Sequence, residues 1–245
     1  MTRRRRIVVT TSWDDGHGHD NPLADLLDNS AVRSTFYIAP RSGDIDEDER
    51  LTPNQIRHLA TRFEIGGHTL THRRLTAFDA LTAEREIVDG KNEFEHVIGT
   101  AVASFCYPGG EYDASHVELV RLAGFRVARS VKRFVTTAST DLLQLGTSVH
   151  AYRHLVDLPM RHRPLRNPRK AISYWRNWDD LAIALFERTR RRGGVCHLWG
   201  HSWEVSARGD RPRLERVLRD AGGRPDVSYV TNGQLASIVG GGPVG

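Results

Sequence analysis

Short apolar, β-branched runs alternate with helically spaced apolar positions along the 245 residues of the chain. Residues 7–11 (Ile-Val-Val-Thr-Thr) have no polar face, which predicts a strand buried on both sides. Asn21-Pro22 places an N-cap residue before proline at the first helical position, and Leu23, Leu26 and Leu27 then share one face. Residues 34–39 read as a strand ended by Pro40, residues 41–50 as an exposed acidic loop, and Thr52-Pro53 as the cap of a helix carrying Ile56, Leu59 and Ala60. A short strand at 63–65 precedes a helix at 82–98, where Ile87, Val88, Phe94, Val97 and Ile98 recur at helical spacing until Gly99. Strands are expected at 101–107 and 125–129, flanking a helix capped by Asp113 and closed by Gly124.

Residues 130–177 carry a weaker pattern, with a possible strand within 145–152 and a long Arg/Pro/His-rich surface loop at 159–170. Asn177 caps a helix to about Arg192, followed by a strand at 195–201 that enters a histidine-bearing turn. Asp210 caps a helix through Leu218, residues 227–230 form a last strand, and Thr231 caps a terminal helix. Seven or eight strands alternating with helices predict an α/β fold, a distorted (β/α) barrel of mostly parallel strands forming a single domain over 1–245. An open doubly wound sheet is the weaker alternative, because no GxGxxG turn follows the first strand.

Composition narrows the picture. No Gly/Ser/Pro-rich linker or fixed-period repeat divides the chain. Lys+Arg total 35 against 30 Asp+Glu, a net charge of +5 spread along the chain with dense arginine blocks at 3–6, 161–170 and 188–192. Without interleaved aromatics or a recognisable module, these blocks read as solvated loops and helix ends, so no nucleic-acid partner is expected, while an anionic substrate stays open. Cys106 and Cys196 sit in apolar runs and read as free, buried side chains. Only three apolar residues follow the basic start, and no 18-residue apolar run exists, so the expectation is a cytoplasmic protein with no membrane partner.

Two stretches carry candidate chemistry. Asp14 and Asp15 end the first strand at Gly16, and two carboxylates together at a strand end need a cation or a proton between them. His68-Thr69-Leu70-Thr71-His72 follows another apolar run, and an acid plus His-x-x-x-His supplies three ligands while leaving coordination positions open, as a catalytic metal site requires. His17 and His19 line the cleft or lie in an exposed turn; His154 and His162 are weaker substrate-contact candidates; Trp175 and Trp178 read as helix-packing residues.

Thr11-Ser12-Trp13-Asp14-Asp15-Gly16 resembles the T-F-D-D-G motif of the polysaccharide deacetylase family (NodB-homology domain, carbohydrate esterase family 4). His68 to His72 is similar to its H-[ST]-x-x-H motif, Phe105 to Gly110 to its third motif, and Cys196 to His201 to its last L-x-H motif. The resemblance implies a divalent metal, most often zinc, on Asp15, His68 and His72, with Asp14 as the base that takes a proton from the attacking water. It implies an oxyanion donor from the backbone near Tyr107, within the substrate-lining turn Tyr107-Pro108-Gly109. A histidine of the last motif would protonate the leaving amine; His201 is preferred over His197, which lies deeper on the same strand face. Trp199 would wall the acetyl methyl group, and Glu204 could orient His201. The family's third-motif arginine is replaced here by Phe105-Cys106, and its Asp-Trp motif has no match; Arg129, ending the next strand, is the expected substitute beside Asp14.

The function expected is removal of an N-acetyl group from an amino sugar or small N-acetylated glycoside, the substrate being a small molecule or oligosaccharide. The alternatives are hydrolysis of another C–N bond, such as a cyclic amide or imide, O-acetyl ester hydrolysis, and a non-catalytic binding module.

Overall fold

The structure is a computed structural model that describes residues 7–137, 139, 141–154 and 171–239. The arginine block at 3–6, the loop at 159–170 and His162 lie outside the described residues. Strand β1 (Ile7–Asp15) is buried along its whole length. It has parallel neighbours on both sides: β7 (Gly194–His201) pairs with it from Ile7 to Asp14, while β2 (Ser34–Ile38) takes the other edge from Thr11 to Asp15. β8 (Val227–Tyr229) occupies the start of that second edge, beside Ile7–Val9. A strand flanked in this way has no solvent face, which is why its sequence shows no alternation.

The 8-stranded sheet runs β5-β4-β3-β2-β1-β7-β6, with β8 beside β1, and every pair of neighbouring strands in it is parallel. The remaining strands are β3 (Glu64–Gly67), β4 (Ser104–Cys106), β5 (Val127–Arg129) and β6 (Val149–His150). One stretch touches both ends of this order. Leu145 bridges to Arg129 in β5, and Val149 and His150 pair with Leu198 and Trp199 in β7. The sheet therefore curls into the distorted barrel that the alternating pattern predicts. Its helices are α1 (Asp20–Asp28), α2 (Pro53–Ala60), α3 (Ala80–Ile98), α4 (Ala114–Leu122), α5 (Ala171–Arg176), α6 (Trp178–Arg192), α7 (Ser202–Ala207), α8 (Arg211–Ala221) and α9 (Asn232–Val239). None is long and apolar enough to cross a membrane.

Local chemistry explains most boundaries. Thr52 and Gln55 form a reciprocal capping box at α2, and Asp113 with His116 does the same at α4. Asp79 accepts from the Thr82 N–H, so α3 starts at Ala80, ahead of the apolar spacing, and ends at Gly99 with φ of 72°. Helix α1 begins at Asp20 and not after Asn21. The turn before it is tied to the 49–51 loop by Gly18 N–H to Glu49 O and Leu51 N–H to Gly16 O, which sets the helix start earlier. β4 is shorter than the 101–107 run that predicts it, and α5 and α7 are elements that the pattern does not predict. The main core lies between sheet and helices, with Trp13, Phe36, Phe94, Phe105, Trp178 and Phe186 among its buried members.

Candidate active site

In a parallel barrel the strands all end on one side, where reacting groups collect. Asp14 and Asp15 end β1, His68 follows β3, Cys106 ends β4, Arg129 ends β5, His150 ends β6 and His201 ends β7. Adjacent residues of a regular strand point to opposite faces. Asp15 escapes that rule because its backbone turns to φ of 88°, which lets both carboxylates serve one end of the barrel. Thr69 and His72 also have positive φ, at 63° and 65°. Three of the four non-glycine positive-φ residues described thus sit in these two motifs, the kind of local strain that persists where the surroundings over-determine it.

Helix α3 holds the His68–His72 turn from behind. Glu86 accepts from the Thr71 N–H and hydroxyl, both at 2.9 Å, and the Thr69 hydroxyl accepts from the His72 N–H at 3.1 Å. Gly90 lets the helix approach closely, since a Cβ there would sit 2.8 Å from the Thr69 carbonyl carbon. A mid-helix glycine costs roughly 0.5–1 kcal/mol relative to alanine, so its presence in α3 reflects this contact.

Asp15, His68 and His72 converge. Asp15 Oδ1 lies 3.2 Å from His72 Nε2 and 3.7 Å from His68 Nε2. His68 Nδ1 donates to the Cys106 carbonyl at 2.7 Å and His72 Nδ1 to the Asp44 carboxylate at 2.7 Å, so both rings turn Nε2 inward. Burial, reinforced by His72, pushes the His68 pKa down to about 4, leaving a neutral ring with a free lone pair. For His72 burial acts downward, but the facing Asp15 and Asp44 outweigh it and raise the pKa. Burial opposes ionisation of Asp15, yet His72, His201 and His68 hold its carboxyl well below the usual range. Asp15 Oδ1 is buried and accepts no hydrogen bond, while Oδ2 accepts from the Trp203 indole N–H at 3.0 Å. An orphaned carboxylate oxygen facing two inward imidazole nitrogens fits a divalent ion, and an N,N,O donor set suits zinc.

The structure brings Arg129 to Asp14. Its Nη2 donates to Asp14 Oδ1, with Arg129 0% and Asp14 2% exposed. Burial works against the guanidinium's charge, but Asp14 more than offsets it and raises the Arg129 pKa. Cys106 and Arg129 are register partners between β4 and β5, so the cation comes from one strand over relative to the motif position. Cys106 is more than filler: its thiol, kept protonated by burial, lies 3.8 Å from Asp14 Oδ2.

At the end of β7, His201 Nδ1 donates to Glu204 Oε2 at 2.6 Å, and His201 Nε2 faces Asp15 Oδ2 at 3.8 Å. Burial pulls the His201 pKa down, but Glu204, Asp15 and Asp14 carry it up to about 9. Glu204 itself is brought to about 2, burial being outweighed by His150 and His201. His150 Nε2 stands 3.0 Å from the same Glu204 oxygen, and its Nδ1 meets His154 Nε2 at 2.5 Å. His197 lies apart from this group, buried, with its ring nitrogens hydrogen-bonded to the Thr10 and Ser12 hydroxyls at 2.9 and 2.8 Å.

Other expectations meet a different geometry. The Tyr107 N–H donates to the Arg129 carbonyl at 3.1 Å and its phenol to the Leu143 carbonyl at 3.0 Å, so neither is left for an oxyanion. Pro108 has no N–H and is buried, and Gly109 takes φ of 64° in a short 3-10 turn packed near Arg74. Trp199 is not an open wall. It is 5% exposed, with His150 stacked at 3.8 Å and the Arg129 guanidinium carbon 4.8 Å from its ring. His17 and His19 stack on each other at 4.8 Å, and Trp178 is buried in the core as expected. Sequence reading missed Asp44, which sits in a loop read only as exposed, and Trp203, which sits on the unpredicted α7; adjacency to His201 was the one available signal for the latter.

A sequence profile described as polysaccharide deacetylase matches residues 2–128. A search of curated protein sequences finds no match. Among solved structures, a candidate polysaccharide deacetylase from Mycobacterium smegmatis superposes with a TM-score of 0.70 at 16% identity, covering 98% of this chain and 92% of that one. The chitin deacetylase of the fungal pathogen Colletotrichum lindemuthianum gives 0.61 at 16% identity, over 94% of this chain and 87% of that one. Deacetylase PplD of Streptococcus pyogenes gives 0.52 at 16% identity, over 56% of this chain and 62% of that one. At such identities the structural likeness is one of fold, while the span matched by the profile includes the Asp-Asp and His-x-x-x-His motifs. This chain belongs to the polysaccharide deacetylase family (NodB homology, carbohydrate esterase family 4).

Proposed function

We propose that the chain hydrolyses the N-acetyl group of an amino sugar, with a divalent ion, zinc by its donor set, held by Asp15, His68 and His72. The observation that carries this reading is the buried, unpartnered Asp15 Oδ1 facing both imidazoles beside a second, separately compensated acid. When bound, the ion would polarise the acetamide carbonyl and acidify the attacking water.

The chain's own groups divide the proton work. Asp14, its charge compensated by Arg129, takes the proton of the attacking water as oxygen adds to the carbonyl carbon. His201, held as imidazolium by Glu204 and the two aspartates, gives its Nε2 proton to the amine as the C–N bond breaks. The products are acetate and the free amino sugar. His197 serves the barrel interior, and Trp199 backs Arg129 and His150.

Acetate release from N-acetylated mono- and oligosaccharides, compared with O-acetylated sugars and cyclic ureides, tests the reading. Release from the N-acetyl sugars with retention of the sugar amine supports it. Turnover of only the cyclic ureides or only the esters would assign a different bond, and no turnover by the zinc-loaded chain would leave a binding module.

A further inference from the structure

Only three large apolar side chains among the described residues stand exposed: Leu81, Leu122 and Trp203. Trp203 is the one at the catalytic end of the barrel, two residues past His201, and it is 37% exposed. Its indole N–H donates to Asp15 Oδ2 at 3.0 Å. The ring lies over the His201 imidazole with centroids 5.3 Å apart and planes 26° from parallel. One side of the ring thus stacks against the imidazole and the polar edge is tied to the carboxylate, while more than a third of the residue stays exposed to solvent.

We propose that the exposed part of Trp203 is the platform on which a pyranose ring of the substrate stacks beside the catalytic groups. The proposal rests on the hydrolytic reading above. A pyranose presents a face of C–H bonds that needs a flat apolar partner, while its hydroxyls stay at the rim. An aromatic with an apolar body and a polar tip held in place meets that need, and its fixed plane means little ordering is required on binding. The other tryptophan near the catalytic end, Trp199, cannot serve, because His150 and Arg129 cover it and it is 5% exposed. The tie to Asp15 also sets the distance between platform and chemistry: a ring stacked on Trp203 places its substituents beside the carboxylate that faces His68, His72 and His201.

The test is calorimetric binding of tri-N-acetylchitotriose to the full chain saturated with zinc, in an Asp14→Asn background so that no turnover occurs. Trp203→Phe keeps a ring and loses the indole N–H; Trp203→Leu loses both. Trp203→Leu is expected to weaken binding about ten-fold, and Trp203→Phe by less than about three-fold. Zinc content is measured alongside, and a loss seen in Trp203→Leu alone belongs to the ring and not to the Asp15 contact. Equal affinities for Trp203 and Trp203→Leu, equal losses in both variants, or no binding of the trisaccharide would overturn the platform. Acetate release by the chain with Asp14 intact separates the two readings. Ring-dependent binding without hydrolysis would keep the platform and remove the hydrolase, whereas hydrolysis with ring-independent binding would do the reverse.

Discussion

Replacing Arg129 with methionine removes the cation beside Asp14 while keeping a long apolar side chain in its place. The pair is closed to solvent, with Arg129 0% and Asp14 2% exposed, so water does not screen the loss. Breaking a buried ion pair from one side costs roughly 3–5 kcal/mol, because the surviving charge is left uncompensated. Part of that cost appears as stability. The rest appears as chemistry, since a buried carboxyl deprived of its cation favours the neutral form, which already holds a proton and cannot take one from water. General-base catalysis is worth about 10²–10⁴ in rate, or about 3–5 kcal/mol of barrier, so kcat is expected to fall by at least two orders of magnitude. Asp15, His68 and His72 do not touch Arg129, so zinc content should hold at the wild-type value. The assay is steady-state acetate release at saturating zinc, with metal content and thermal unfolding measured on the same preparation. In an Asp14→Asn background the same substitution should cost little further activity. Wild-type turnover in Arg129→Met, or equal losses in both backgrounds, would refute the pairing as a catalytic device.

Glu204→Gln removes the anion that outweighs the burial of His201, whose pKa now stands at about 9. The imidazolium then loses its proton at lower pH, and the alkaline limb of the kcat/KM profile should move down by about 1 pH unit or more; an unmoved limb would take His201 out of the acid role. Asp44→Asn weakens the hold on His72 Nδ1 without touching Nε2, so zinc affinity should drop about 10–100-fold with an unchanged fold by circular dichroism. Gly90→Ala would gain about 0.5–1 kcal/mol of helix propensity but force a Cβ to 2.8 Å from the Thr69 carbonyl carbon, an overpacking cost of about 1–3 kcal/mol. Overpacking wins, so Tm should fall by about 2–8 °C and zinc binding should weaken; a raised Tm would show that α3 does not support the His68–His72 turn.

Local rules made much of the fold legible. The unbroken β1 run, the Thr52 and Asp113 caps and the Gly99 stop each state a short-range preference that the tertiary structure keeps. The convergence of Asp15, His68 and His72 was readable because their motifs are contiguous and each follows a strand. The pairing of Arg129 with Asp14 follows from strand order, with β5 supplying at the Cys106 register what the motif position lacks. Long-range contacts between weakly patterned segments were not legible. His150 meets Glu204 only because β6 pairs with β7, and Asp44 reaches His72 from a loop whose acids look uniformly solvated. Tyr107 misled for a backbone reason: a strand-end N–H looks free in sequence, but the β5 carbonyl of Arg129 takes it. Trp203 stood on a helix that begins directly at the end of β7, where no loop or cap signals a new element.

The claim on which the account turns is that Asp15, His68 and His72 share one ion and that hydrolysis depends on it. Zinc titration of the chelator-stripped chain, with bound metal and acetate release followed in the same samples, tests it most directly. The account predicts that both rise together to one ion per chain, and that neither is restored in His68→Ala or Asp15→Asn. Full acetate release before zinc is added back, or unchanged zinc binding in those variants, would contradict it.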